Sequence, residues 1–200
     1  MTVEEILLTL LRDKPFYDVS GGGVSLSGGE PTLFVEFAGR LLQALKSNGV
    51  HTLLQTCGLF NLHTFDRMMY PWLDTIYYDL KIIDREAHAR YCGAENEVIL
   101  ANFRELARRS HNSGVPLLPR TPLIPGITDT AENLQAIAAF LLECDVHQAK
   151  LLPYHPLWRE KIRILGLQAP LEESPEMQKW LERENLARSK TIFREAGVDV

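Results

Sequence analysis

Short apolar runs begin near residues 24, 51, 75, 117 and 149, and amphipathic stretches separate them. No other feature constrains the fold as tightly. Strand-then-helix units at this spacing imply a parallel sheet, because a parallel neighbour is reached only through a long, right-handed crossover. Strands are predicted over 24–27, 51–56, 75–81, 116–123 and 150–154. Helices are predicted over 2–12, 34–47, 62–69, 95–112, 129–144 and 174–196. Five strands are too few to close an eight-stranded barrel. The expected architecture is therefore α/β, an open curved sheet or partial barrel in one domain over residues 1–200. A flat Rossmann sheet competes with it, but the glycine-rich turn lacks the G-x-G-x-x-G spacing.

Local signals place several boundaries. Thr2 and Glu5 make the T-x-x-E pattern of a capping box, and Val3, Ile6, Leu7, Leu10 and Leu11 form one apolar helix face. The next helix is expected to turn Phe34, Phe37, Leu41, Leu42 and Leu45 inward and to stop at Asn48-Gly49. Prolines at 116, 119 and 122 exclude a helix there, and Pro125-Gly126 reads as a turn. Ser174-Pro175-Glu176 reads as a cap with proline at the first helical position. The stretch 158–173 is the least regular and reads as a surface excursion.

Of the 200 residues, 46% are hydrophobic and 24% charged, which supports a full globular core. The formal net charge is −5 with lysine and arginine scattered among acids, which argues against nucleic-acid binding. No apolar run approaches the roughly 18 residues of a membrane span. The acidic start, Met1 to Glu5, does not read as a signal peptide. Cys57, Cys92 and Cys144 are odd in number and far apart. That argues against a disulfide framework and for a reducing, cytoplasmic setting.

Distinctive polar residues recur at the carboxyl ends of the predicted strands. Gly28, Gly29 and Glu30 follow the first, Thr56 ends the second, and Asp79 and Lys81 end the third. Arg120 lies on the fourth and His155 follows the fifth. In parallel α/β folds this edge hosts ligands, since loops and helix N-termini converge there. Asp79 and Lys81, two apart on a strand, share a face with Tyr77. Taken alone, the same residues also read as a buried ion pair, a helix-terminal carboxylate, a structural arginine and a capping histidine.

Five ordered segments carry a resemblance. They are Gly21 to Pro31, His51 through Gly58, Tyr78-Asp79-Leu80-Lys81, Thr121 to Gly126, and Leu151-Leu152-Pro153-Tyr154-His155. Together they resemble the radical S-adenosylmethionine (radical SAM) activating enzymes of glycyl-radical enzymes, of the pyruvate formate-lyase activating enzyme type. The resemblance covers almost the whole chain. It implies a partial (β/α)6 barrel, a 4Fe-4S cluster held by a C-x3-C-x2-C loop, and reductive cleavage of S-adenosyl-L-methionine. It further implies hydrogen abstraction from a glycine Cα of a partner glycyl-radical enzyme, with flavodoxin or ferredoxin as reductant. Gly28, Gly29, Glu30 and Thr56 are implied at the methionine end of the cofactor, Lys81 and Arg120 at its carboxylate, and His155 at its nucleoside. Asp79 is implied to order the site and to be a candidate monovalent-cation ligand.

Two departures accompany the resemblance. Gln55-Thr56-Cys57-Gly58 stands where the family commonly begins with aspartate. The implied cluster loop and first barrel strand would precede residue 1, and the three cysteines lack the cluster spacing. The chain is accordingly read as a barrel missing its first strand, inactive alone, whose activity belongs to a longer protein. The competing readings are an inactive module that binds S-adenosylmethionine or the partner enzyme, and a split enzyme completed by another polypeptide.

Overall fold

The structure, a computed structural model, describes residues 1–158, 160, 164, 166 and 174–200. Most of the expected excursion over 158–173 lies outside the described residues. One five-stranded sheet has the order β1-β2-β3-β4-β5. By its internal contacts the chain divides into two compact units, Met1–Asp79 with Asn96–Leu118, and Leu80–Glu95 with Pro119–Val200.

In the first unit, helix α1 (Val3–Leu10) starts at the expected capping box. The Glu5 N–H donates to the Thr2 hydroxyl at 3.2 Å, and the Thr2 N–H donates to the Glu5 carboxylate at 2.8 Å. The predicted apolar face of α1 packs on a cluster of Val24, Leu41, Leu45 and Val50. Helix α2 (Lys14–Ser20) follows a 3-10 turn and was not anticipated. Only Tyr17 of α2 joins that cluster, so its sequence carries little amphipathic signal.

Strand β1 (Gly23–Leu26) pairs in parallel with β2 (His51–Thr56), and β2 with β3 (Thr75–Asp79). The β2 bounds are those expected. Strand β3 stops at Asp79, two residues short of the prediction. Helix α3 (Val35–Ser47) buries Leu41, Leu42 and Leu45, as expected. Phe34 and Phe37 correct the expectation: they are 72% and 39% exposed. Pro31–Phe34 forms a 3-10 turn ahead of the helix, and this offset rotates Phe34 off the buried face. Helix α4 (Leu62–Met68) connects β2 to β3.

Helix α6 (Glu97–Ser113) also belongs to this unit and buries Ile99, Asn102, Phe103, Leu106 and Ala107. Arg109 ties it to α4. Its guanidinium donates twice to Asp66, once to Glu105 at 2.7 Å, and lies 5.6 Å from the Tyr70 ring centroid.

The second unit contains α5 (Arg85–Cys92), most of β4 (Leu117–Leu123), α7 (Ala131–Glu143), β5 (Lys150–Pro153) and α8 (Arg183–Ala196). Strands β4 and β5 are parallel, with Arg120 opposite Lys150. Helix α5 was not expected, since only His88 is buried along it. The Thr130 hydroxyl caps α7, accepting from the Asn133 N–H at 3.3 Å.

The predicted last helix is two pieces, a 3-10 turn over Pro175–Gln178 and then α8. Ser174 does not cap the turn: its hydroxyl donates to the Glu176 carboxylate at 2.7 Å. Between the two pieces, the Leu181 N–H donates to the Tyr154 carbonyl at 3.1 Å. Among the described residues no helix is long and apolar enough to cross a membrane.

Candidate functional site

The loop after β1 is held by one carboxylate. Glu30 leaves the strand in an extended conformation and caps the 3-10 turn that follows. Its Oε1 accepts from the Thr32 N–H at 3.2 Å, the Thr32 hydroxyl at 2.7 Å and the Thr56 hydroxyl at 2.9 Å. Its Oε2 accepts from the Cys57 N–H at 2.8 Å. A carboxylate offers about four lone-pair directions, and donors from Thr32, Thr56 and Cys57 address this one. Glu30 thus bonds the β1 loop to the turn that ends β2.

That turn has its own anchors. The Gly58 N–H donates to the Thr56 hydroxyl at 3.0 Å, so Thr56 donates to Glu30 and accepts from Gly58. Asn102 of α6, buried, donates through Nδ2 to the carbonyls of Gly58 and Phe60, both at 2.9 Å. Tyr78, fully buried opposite Thr56 in the β2–β3 register, donates its hydroxyl to the Ile99 carbonyl at 2.6 Å. Gly58 has φ +83°, and a Cβ there would lie 1.8 Å from the Tyr78 hydroxyl oxygen. Only glycine fits that contact and that backbone conformation.

Gly28 and Gly29 are different. Nothing lies within 4 Å of the Cβ that either would carry, and Gly28 has φ +121°. Packing demands glycine at neither position, but the backbone conformation favours it at Gly28, so Gly29 is the one whose missing side chain the fold does not explain. The open space lies on the loop that Glu30 fixes.

The electrostatics agree with a preformed anion. Burial is the largest influence on Glu30 and pushes its pKa up. Hydrogen bonds from Cys57 and Thr32 together outweigh it and leave the carboxyl below its ordinary range. Burial, reinforced by Cys57 and Glu30 nearby, holds the Tyr78 phenol well above its ordinary range, so it stays a neutral donor.

The structure brings Glu30 and Thr56 into direct contact, with Gly28 and Gly29 on the same loop. Asp79 is half-buried at the end of β3, where Ile76 and Tyr78 take the buried face. In the second unit, Lys81 is half-buried and its carbonyl accepts from Asn133 at 2.8 Å. Arg120 is half-buried on β4, and its carbonyl accepts from the Leu80 N–H at 2.9 Å. His155 is exposed after β5, with its ring 5.8 Å from that of Trp180.

Sequence reasoning passed over Thr32, the Cys57 amide, Tyr78 and Asn102. A signal existed for Asn102, a lone amide among the inward positions of an amphipathic helix.

Residues 1–141 match the domain described as the radical SAM superfamily. The chain belongs to that superfamily. Its relatives place it among the activating enzymes of glycyl-radical enzymes. The isethionate sulfite-lyase activating enzyme of Oleidesulfovibrio alaskensis is 38% identical over 172 residues, which are 86% of this chain and 54% of that protein. The pyruvate formate-lyase-activating enzyme of Staphylococcus epidermidis is 37% identical over 180 residues, 86% of this chain and 69% of that protein. A crystal structure of a domain of pyruvate-formate lyase-activating enzyme from Bacteroides vulgatus aligns with TM-score 0.68 and 29% identity, over 90% of this chain and 97% of that one. The chain spans about half the length of the first curated relatives it matches.

Radical SAM proteins imply S-adenosylmethionine and a 4Fe-4S cluster. The open Gly28-Gly29 backbone fits the former. The described residues do not fit the latter. Cys57, Cys92 and Cys144 lack the spacing of a cluster loop, and no group of three metal-ligating side chains is found among the described residues.

Proposed function

We propose that this chain is the S-adenosylmethionine-binding part of an enzyme that cleaves that cofactor reductively and takes hydrogen from a glycine Cα of a partner glycyl-radical enzyme. The observation that carries the reading is the pair Gly28-Gly29, open where a Cβ would project and held in place by the Glu30 bonds to Thr32, Thr56 and Cys57. Backbone without Cβ atoms permits the close approach that a small zwitterion needs.

In this reading the loop orients the methionine end, and Thr56 and Glu30 keep it ordered before the ligand arrives. Preorganisation of that kind supports affinity because less conformational freedom is lost on binding. The resemblance assigns Lys81 and Arg120 to the ligand carboxylate and His155 to its nucleoside, on the chemistry of a point charge, a planar fork and a ring. Asp79 keeps its assignment as an ordering group and candidate monovalent-cation ligand. Flavodoxin or ferredoxin is the proposed reductant, and the cytoplasm the proposed location.

The partner is a lyase of the kind the relatives activate. Their names span isethionate sulfite-lyase, choline trimethylamine-lyase and pyruvate formate-lyase at 34 to 39% identity, so identity alone does not choose among them.

The test incubates the complete protein anaerobically with S-adenosylmethionine, a reductant and each of these three lyases in turn. Electron paramagnetic resonance then reads the lyase. A glycyl-radical signal in one of them is the expected result. Saturable cofactor binding with no radical in any of the three contradicts the activating role and leaves a binding module.

A further inference from the structure

We propose that Asn102 and Tyr78 are positioning residues for the cofactor loop, acting from α6 and β3 through the Thr56-Cys57-Gly58 turn. The inference rests on the proposed binding of S-adenosylmethionine at Gly28-Gly29, and it deepens that reading.

The chain of contacts is continuous. Asn102 Nδ2 donates to the carbonyls of Gly58 and Phe60 and so fixes both ends of the turn's exit. Beneath Gly58 stands the Tyr78 ring, its hydroxyl bonded to the Ile99 carbonyl one turn before Asn102 on α6. The Gly58 N–H donates to the Thr56 hydroxyl, which donates to Glu30. The Cys57 N–H donates to the other oxygen of the same carboxylate. Glu30 immediately follows Gly29. Neither Asn102 nor Tyr78 touches the open space at the glycines. They decide where the turn sits, the turn decides where the carboxylate sits, and the carboxylate fixes the loop.

Chemistry favours a positioning role over simple packing. Asn102 and Tyr78 are 5% and 0% exposed. A leucine and a phenylalanine would fill those volumes without any polar group to satisfy, and buried polar groups add directional constraint that apolar packing lacks. Here the directions all lead to one turn. Arg109, two turns further along α6, clamps the helix to α4 and keeps that end of the relay rigid.

The experiment uses the chain as it is, with Asn102→Leu, Tyr78→Phe and, as a control of ordinary core damage, Leu106→Ala. Leu106 is buried on the same helix, one turn after Asn102. Hydrogen exchange without ligand comes first. Asn102→Leu is expected to speed exchange of the Cys57 and Gly58 amides about tenfold more than that of the β2 amides, as local opening does. Calorimetric titration with S-adenosylmethionine follows, at a temperature where each variant is folded. The dissociation constant is expected to rise about fivefold or more in Asn102→Leu, by a smaller factor in Tyr78→Phe, and to stay unchanged in Leu106→Ala.

Equal weakening by Leu106→Ala, or wild-type affinity in Asn102→Leu, overturns the inference and leaves the binding reading standing. If Asn102→Leu does not fold, Tyr78→Phe and Leu106→Ala decide by the same comparison. Failure of the wild-type chain to bind S-adenosylmethionine overturns the binding reading, and this inference with it.

Discussion

At the scale of single residues, Glu30 does the most. Donors of Thr32, in the 3-10 turn it caps, and of Thr56 and Cys57, 26 and 27 residues further along the chain, converge on its carboxylate. Its pKa is lowered in the fold, so the native state binds this proton less readily than the unfolded chain does. The stabilisation is therefore complete above the ordinary glutamate range and is lost as pH falls through the lowered folded value. Glu30→Gln is expected to cost about 1.5 kcal/mol at pH 7, the low end for a charged hydrogen-bonded group because the site is half-buried. The gap to wild type is expected to narrow as pH falls below the ordinary glutamate range. Urea unfolding of both proteins across that range checks it, and a gap independent of pH would contradict the assignment. The capping box at Thr2 was legible because its partners lie three residues apart. The bonds of Glu30 to Thr56 and of Asn102 to Gly58 were not, because they form only once β1, β2 and α6 are in place.

At the scale of elements, legibility followed burial. Strand β2 alternates buried residues with half-buried or exposed ones, is closed by Cys57-Gly58, and has the bounds expected of it. Helices α2 and α5 bury almost nothing, and nothing in their periodicity announced them. Helix α3 lies between these cases. Its leucines were assigned correctly, but a 3-10 turn shifts its start and leaves Phe34 on the surface. The two kinds of position separate energetically. Leu42→Ala removes a side chain with no exposure and is expected to cost about 2–5 kcal/mol. Phe34→Ser removes a mostly exposed ring and is expected to change stability by less than about 0.5 kcal/mol. Chemical denaturation of the two variants decides it, and a large loss in Phe34→Ser would show that the ring is covered in solution.

At the scale of the whole molecule, the strand-helix alternation carried the architecture, and the five-strand order follows the chain order without a reversal. The division into two units was not legible. The breaks fall between Asp79 and Leu80, between Glu95 and Asn96, and within β4, and no glycine-rich linker or shift in composition marks them. The family rests on residues 1–141 and on relatives of greater length, and the proposed chemistry rests on one loop of the first unit. Gly29 isolates that claim. A Cβ there meets nothing within 4 Å, so the fold leaves room for one. The decisive measurement is a calorimetric titration of the wild-type chain and of Gly29→Val with S-adenosylmethionine, beside a thermal melt of each. The account predicts saturable binding by wild type, affinity lower by at least about tenfold in Gly29→Val, and stabilities within about 0.5 kcal/mol of one another. Equal affinity in the two proteins, with both folded, would contradict it.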